Sequence, residues 1–142
     1  MPQPVRGAIQ TAVTPYLGGL LAAYWTALCI GTHIPKIPEP LEVGGSDKFL
    51  HYGAYAGLAF LLAAWWTGAG RLSLGTATVL LAICLGYGVL DEQAQDFVGR
   101  DCDLWDWVAD AIGTLTGLAL YALVARQLTA PAKPSQTPSV SD

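Results

Sequence analysis

Polar and apolar residues are distributed along this chain in long blocks rather than with the period of a surface helix. Four blocks are strongly apolar, covering 15–31, 49–66, 72–90 and 104–124. Each is close to the roughly 20 helical residues needed to cross a hydrocarbon core about 30 Å thick. A helix of a water-soluble bundle carries a polar stripe along one side. The second and third blocks have no charge across their middles, so they have no face suited to water. The pattern predicts an all-α, polytopic membrane protein: four transmembrane helices in an antiparallel bundle.

The connections divide the chain into a helical domain at 13–128, a flexible N-terminal tail at 1–12 and a disordered C-terminal tail at 129–142. TAPAKPSQTPSVSD in the second tail is rich in Pro, Ser and Thr and too polar to form a core. HIPKIPEPLEVGGSD, between the first two blocks, has prolines that block helix and favour an extended path. TGAGR, between the second and third, is short enough for a tight turn of antiparallel helices. Four spans put both termini and TGAGR on one side, with the proline loop and the segment before the fourth block on the other. Arg6, Arg71, Arg126 and Lys133 stand on the terminal side, against Lys36, Lys48 and Arg100. This small positive-inside bias favours cytoplasmic termini in the inner (cytoplasmic) cell membrane. The first block is read as a span rather than a signal peptide. A lipoprotein-like cleavage at TALC would need a small residue where Leu28 stands.

Composition narrows the function classes. Charged residues are 13% and hydrophobic ones 53% of the chain, and the net charge is -4 with no basic cluster. A nucleic-acid partner, which needs a cationic face, is excluded. Cys29, Cys84 and Cys102 form no close pair and no metal spacing. Cys29 and Cys84 are read as small apolar residues. Cys29 and Cys102 end on the same side, which leaves a disulfide between them open.

Against this background DEQAQDFVGRDCDLWDWVAD, residues 91–110, stands out: seven carboxylates and one arginine between two apolar blocks. Counting from Trp66, an interfacial anchor, His51 lies about 22 Å along the second helix, inside the hydrocarbon thickness. Asp110 lies about 24 Å from Arg126 and Asp91 is near the outer boundary, if the helices are upright. Helical spacing sets the faces. Asp47, His51 and Tyr55 share one face of the second helix, with Lys48 on its flank. Gly53 and Gly57 lie nearly opposite, where they would admit a neighbour's backbone. Tyr87, Asp91 and Gln95 stack on the third helix beside Glu92. Asp103, Asp106, Asp110, Gly113 and Gly117 form one stripe on the fourth. Because the glycines suit tight packing, that stripe should face the bundle and carry Asp106 and Asp110 inward.

An acid at mid-membrane depth costs roughly 2.5–3.5 kcal/mol, less near the interface. Asp47, Asp91, Glu92, Asp106 and Asp110 outnumber Lys48, Arg100 and a charged His51. Some acids therefore carry a proton, a cation completes the site, or several face water. Oxygen-rich clusters suit Mg²⁺ or Ca²⁺, and a histidine also admits Zn²⁺ or Mn²⁺. Simpler readings stand beside this one. Asp101, Asp103 and Asp106 can cap the fourth helix and complement its dipole. Glu39, Glu42 and Asp96 fit solvated loop charges, Lys48 can snorkel, and Tyr52, Trp105 and Trp107 suit the interface belt. A purely structural salt bridge remains open for His51, Asp91 and Asp110.

DKFLHYGAYAGLAFLL resembles the D-K-x-x-H-x-x-x-Y helix of the VanZ-like family of bacterial membrane proteins. DEQAQDFVGRDCDLWDWVADAIGTLTG is similar to that family's second signature: D-E-x-x-Q, an arginine, then D-x-x-x-N-x-x-G-x-x-x-G. The matching positions are Asp47, Lys48, His51 and Tyr55, then Asp91, Glu92, Gln95, Arg100, Asp106, Gly113 and Gly117. Asp110 stands where the family often has asparagine. The resemblance covers about residues 31–118. It implies a multi-pass envelope protein with a link to resistance to the glycopeptide teicoplanin, and no general mechanism.

Three functions are compatible with these residues. In the first, a site near the outer leaflet handles a lipid-linked or cell-wall molecule and thereby affects glycopeptide susceptibility. Lys48 and Arg100 would hold its phosphate or carboxylate, and His51 with Asp91 or Glu92 would act as acid or base. Asp47, Tyr55, Gln95, Asp106 and Asp110 would complete the ligand site. The second is a metal-assisted hydrolase or transferase. The third is non-catalytic: a polar lock between helices, or an interface for a partner subunit in the lipid bilayer.

Overall fold

A computed structural model of the chain describes residues 3–33, 46–99 and 103–129. These form four helices: α1 (Gln3–Thr32), α2 (Ser46–Trp66), α3 (Leu74–Asp96) and α4 (Leu104–Leu128). Most of the proline loop and of the C-terminal tail lies outside the described residues, as do Arg100, Asp101 and Cys102.

All four helices extend beyond the apolar blocks, α4 at its C-terminal end, to Leu128. α1 begins at Gln3, so the tail expected over 1–12 is helical from that residue. Pro15 lies within α1. Its ring removes one backbone hydrogen bond, but Ala8, Gln10 and Ala12 before it are competent helix formers. α2 starts three residues ahead of its apolar block, at Ser46. α3 continues to Asp96, because Glu92, Gln93, Ala94 and Gln95 favour helix although they end the apolar run. That extra length places Asp91, Glu92 and Gln95 on a rigid element. The helix starts are capped locally. The Thr76 N–H donates to the Ser73 hydroxyl at 3.1 Å, and the Trp105 N–H donates to Asp103 at 2.9 Å.

The turn from α2 to α3 is closed by its own backbone. Gly68 and Ala69 both adopt positive φ, and the Ala69 N–H reaches back to the Ala64 carbonyl at 2.7 Å. Tyr121 of α4 clamps this turn, donating its hydroxyl to the Gly70 carbonyl at 2.6 Å and meeting the Thr67 hydroxyl.

Cross-helix contacts give the directions. Tyr24 of α1 donates to the Ala54 carbonyl of α2 at 2.9 Å, and Gly18 faces the Trp65 ring, so α1 and α2 are antiparallel. Leu85 and Glu92 of α3 meet Trp107 and Asp103 of α4, so this pair is antiparallel too. Lys48 is level with Asp106, and Thr67 with Tyr121, so α2 and α4 run parallel. α2 packs against each of the other three helices, and its largest interface is with α4. Leu58, Ala59, Leu62, Ala63 and Ala64 are accordingly buried.

The α2–α4 interface depends on two glycines one helical turn apart. A Cβ on Gly113 would overlap the Tyr52 carbonyl, and one on Gly117 would overlap the Ala56 carbonyl. Their hydrogens let the two backbones touch, the small-xxx-small contact used where lipid gives no hydrophobic drive for helix association. On α2 the expectation was different. Gly53 faces open space, and the room beside Gly57 is taken by the Tyr24 hydroxyl rather than by backbone. Tyrosine can occupy that room because its OH is satisfied there by the Ala54 carbonyl.

Three helical segments are long and apolar enough to cross a membrane: Ala12–Thr32, α3 and α4. They make the chain a multi-pass membrane protein by length and composition. Leu115, Leu120, Leu123 and Val124 are exposed along the outer side of α4, as lipid-facing residues would be. α2, the expected fourth span, is not among the three. Its His, Gly and Tyr content lowers its hydropathy, and it is the helix most enclosed by the others.

Replacing Gly113 or Gly117 by leucine should lower the thermal unfolding temperature in detergent. Overpacking of this kind costs about 1–3 kcal/mol. Gly53→Ala, in open space, should be neutral or stabilising by up to about 1 kcal/mol. Circular dichroism melts of the three variants distinguish these outcomes.

Candidate functional site

Because α2 and α4 are parallel, their N-termini lie at the same end of the bundle, next to the C-termini of α1 and α3. Helix N-termini carry unsatisfied N–H groups and a partial positive charge. Acidic residues there are therefore favoured, and Asp47, Asp103 and Asp106 all lie at or beside those ends. The sequence expected one polar cluster. The structure resolves three connected groups.

The outermost joins α2 to the start of α4. The Lys48 ammonium donates to Asp103 at 2.5 Å and to Asp106 at 2.8 Å. Lys48 does more than snorkel, and its charge is already met by two carboxylates, so a ligand anion would have to displace one of them. Asp103 both caps α4 and pairs with Lys48. The sequence placed it on the inward stripe, as a cap or a solvated charge, and did not pair it with Lys48.

The second group lies deeper and joins three helices. His51 Nδ1 donates to Asp110 Oδ1 at 3.0 Å and lies 3.9 Å from Glu92 Oε1. His51 and Glu92 are each 4% exposed and Asp110 is fully enclosed. Glu92 Oε2 accepts the Asp103 backbone N–H at 3.1 Å, which ties the end of α3 to the start of α4. Glu92 Oε1 and Asp110 Oδ2 are buried without a hydrogen-bond partner, as is the Tyr55 hydroxyl. Tyr55 stacks on Tyr87, with ring centroids 5.9 Å apart. Asp47, His51 and Asp106 also converge, each offering one ligand atom within 4.8 Å of the others.

The third group centres on Asp91. Expected beside His51, its carboxylate instead accepts from Thr32 at 3.0 Å and from Gln95 at 3.3 Å. His33 Nδ1 lies 3.9 Å away and donates to the Cys29 carbonyl at 2.8 Å. Thr32 and His33 were not singled out in the sequence. Their only signal was position, at the polar end of the first apolar block. Trp107, expected in the interface belt, donates its indole N–H to the Leu85 carbonyl at 3.3 Å and so fastens α4 to α3. Arg100 lies outside the described residues.

Two cavities open on this end. One, of about 230 Å³, is lined by Thr32, Asp47, Leu50, His51 and Tyr55 among others. The other is a more open groove of about 420 Å³ between α3 and α4, with Val89, Leu104 and Trp107 on its apolar side and Glu92, Gln93 and Asp103 on its polar side. Comparison with protein families, with curated proteins and with solved structures finds no match to this chain.

The two kinds of ion pair should differ energetically. Breaking a buried pair strands a charge, so His51→Ala and Asp110→Ala should each cost roughly 3–5 kcal/mol. Lys48 and Asp103 are about 40% exposed, and a double-mutant cycle across them should give about 1 kcal/mol or less. Thermal unfolding of the single and double variants measures both.

Proposed function

We propose that the chain is a four-span protein of the bacterial cell membrane, with cytoplasmic termini, that binds an amphiphilic envelope molecule at the outer end of its bundle. The observation that carries this reading is the groove between α3 and α4. Its wall of Val89, Leu104 and Trp107 suits an acyl or isoprenyl chain, and Glu92, Gln93 and Asp103 form a hydrogen-bonding rim. Mostly apolar clefts with a few placed polar groups are what ligand sites look like.

The rim is acidic, and Lys48 is already engaged by Asp103 and Asp106. A polar group rich in hydroxyls or amines therefore fits better than a bare phosphate. Sugar-bearing lipids and lipid-linked wall precursors have such groups. The fourth span is supported by the parallel α2–α4 pairing. α2 runs beside a span-length helix from Lys48 to Thr67, and its 21 residues cover about 31 Å. The resemblance to VanZ-like proteins agrees with an envelope role that reaches glycopeptide susceptibility.

Two measurements test this reading. Wild-type protein in nanodiscs should retain a glycolipid or lipid-linked wall precursor in preference to phosphatidylglycerol. Val89→Trp, which fills the groove, should weaken that retention by roughly tenfold, or about 1.4 kcal/mol. Equal binding of all lipids, or no effect of Val89→Trp, would remove the proposal. Cells lacking the protein should show altered teicoplanin susceptibility, restored by wild type and not by Val89→Trp.

A further inference from the structure

We infer that His51, Glu92 and Asp110 form a binding site for one divalent transition-metal ion, Zn²⁺ or Mn²⁺, buried where α2, α3 and α4 meet. The site shares Glu92 with the rim of the groove but does not rest on the lipid reading.

Geometry comes first. One ligand atom from each of the three residues lies within 4.8 Å of the others. Imidazole and carboxylate ligands sit about 2.0–2.2 Å from Zn²⁺, which allows ligand atoms up to about 4.2 Å apart. His51 Nδ1 is 3.0 Å from Asp110 Oδ1 and 3.9 Å from Glu92 Oε1, inside that limit; to ligate an ion it would carry a lone pair, with the ring proton on Nε2 in place of the one given to Asp110. The three come from three different helices, so the site is held by the packing of the bundle rather than by a loop.

A second observation points to a ligand. Glu92 Oε1 and Asp110 Oδ2 are buried and have no hydrogen-bond partner. A buried acceptor left unpaired is costly, more so when it is a carboxylate oxygen. Space is kept beside one of them. A Cβ on Gly88 would stand 3.3 Å from Asp110 Oδ2 and 3.3 Å from the Trp107 ring. Charge balance agrees. Two carboxylates and a neutral imidazole are matched by one dication, and the buried site is then neutral. With a proton alone shared between His51 and Asp110, the second carboxylate would remain uncompensated.

The donor set selects the ion. An imidazole nitrogen with two carboxylate oxygens suits Zn²⁺ or Mn²⁺, whereas Mg²⁺ and Ca²⁺ take oxygen ligands. Three protein ligands leave a coordination position open, the arrangement of catalytic rather than structural zinc sites. The 230 Å³ cavity bordered by His51, Asp47 and Thr32 provides an entry path.

The test uses full-length protein purified in mild detergent without chelator, with bound metal measured by plasma mass spectrometry and affinity by titration with ZnCl₂ and MnCl₂. Wild type should bind one equivalent. Glu92→Gln and Asp110→Asn, which keep side-chain shape, should each weaken binding by roughly tenfold or more, and Asp96→Asn should not. Absence of metal binding by wild type, or unchanged affinity in both variants, overturns the inference. Loss of binding in Asp47→Asn and Asp106→Asn with full binding in Glu92→Gln also overturns it, by moving the ion to the outer set around His51. If the variants do not fold, wild type loaded with Mn²⁺ still tests the imidazole ligand: absence of hyperfine coupling to an imidazole nitrogen in pulsed electron paramagnetic resonance overturns the site.

Discussion

Backbone contact between α2 and α4 is the constraint on which the site depends. Gly113 and Gly117 have no Cβ to hold the carbonyls of Tyr52 and Ala56 away. Once these backbones touch, the axial offset and rotation of the two helices follow. His51, the residue before Tyr52, then meets Asp110, which precedes Gly113 by three residues. Lys48 meets Asp106 one turn further out. A larger residue at either glycine would separate the helices and slacken every polar contact in that series.

The same contact creates an electrostatic problem. Adjacent parallel helices bring two positive dipole ends together, and the acidic residues there answer it. Asp103 and Asp106 compensate the N-terminus of α4 and hold Lys48, while Glu92 reaches across from α3 to the Asp103 backbone N–H. Part of the carboxylate density is therefore structural. Deeper in the bundle the compensation is incomplete: Glu92 and Asp110 each keep one buried oxygen unpaired. That difference separates the capping acids from the acids of the candidate site.

α2 differs from the three span-length helices in how far its neighbours enclose it. It carries histidine, three glycine or tyrosine positions facing neighbours, and a charged start. Packed against α1, α3 and α4, it has little need to be lipophilic on every side. Large apolar residues are nonetheless exposed on all four helices, Phe49 and Leu50 of α2 among them.

Much of this arrangement was legible in the residues. Helical period alone put Asp103, Asp106, Asp110, Gly113 and Gly117 on one stripe; the last four are buried and Asp103 is half-buried. It also put Asp47, His51 and Tyr55 on one face; His51 and Tyr55 are buried and Asp47, at the helix start, is half-buried. Block length announced four helices and antiparallel neighbours. Helix ends were less legible, since Glu, Gln and Ala carry α3 past its apolar run and α1 continues through Pro15. Partners across helices were not legible at all. Nothing in the spacing says that His51 takes Asp110 while Asp91 takes Thr32, or that Gly57 admits a tyrosine hydroxyl and Gly113 a backbone carbonyl. Spacing along one helix determines direction around its own axis. How far one helix slides and turns against another is decided by the fit of their surfaces, and that fit exists only when the bundle is assembled.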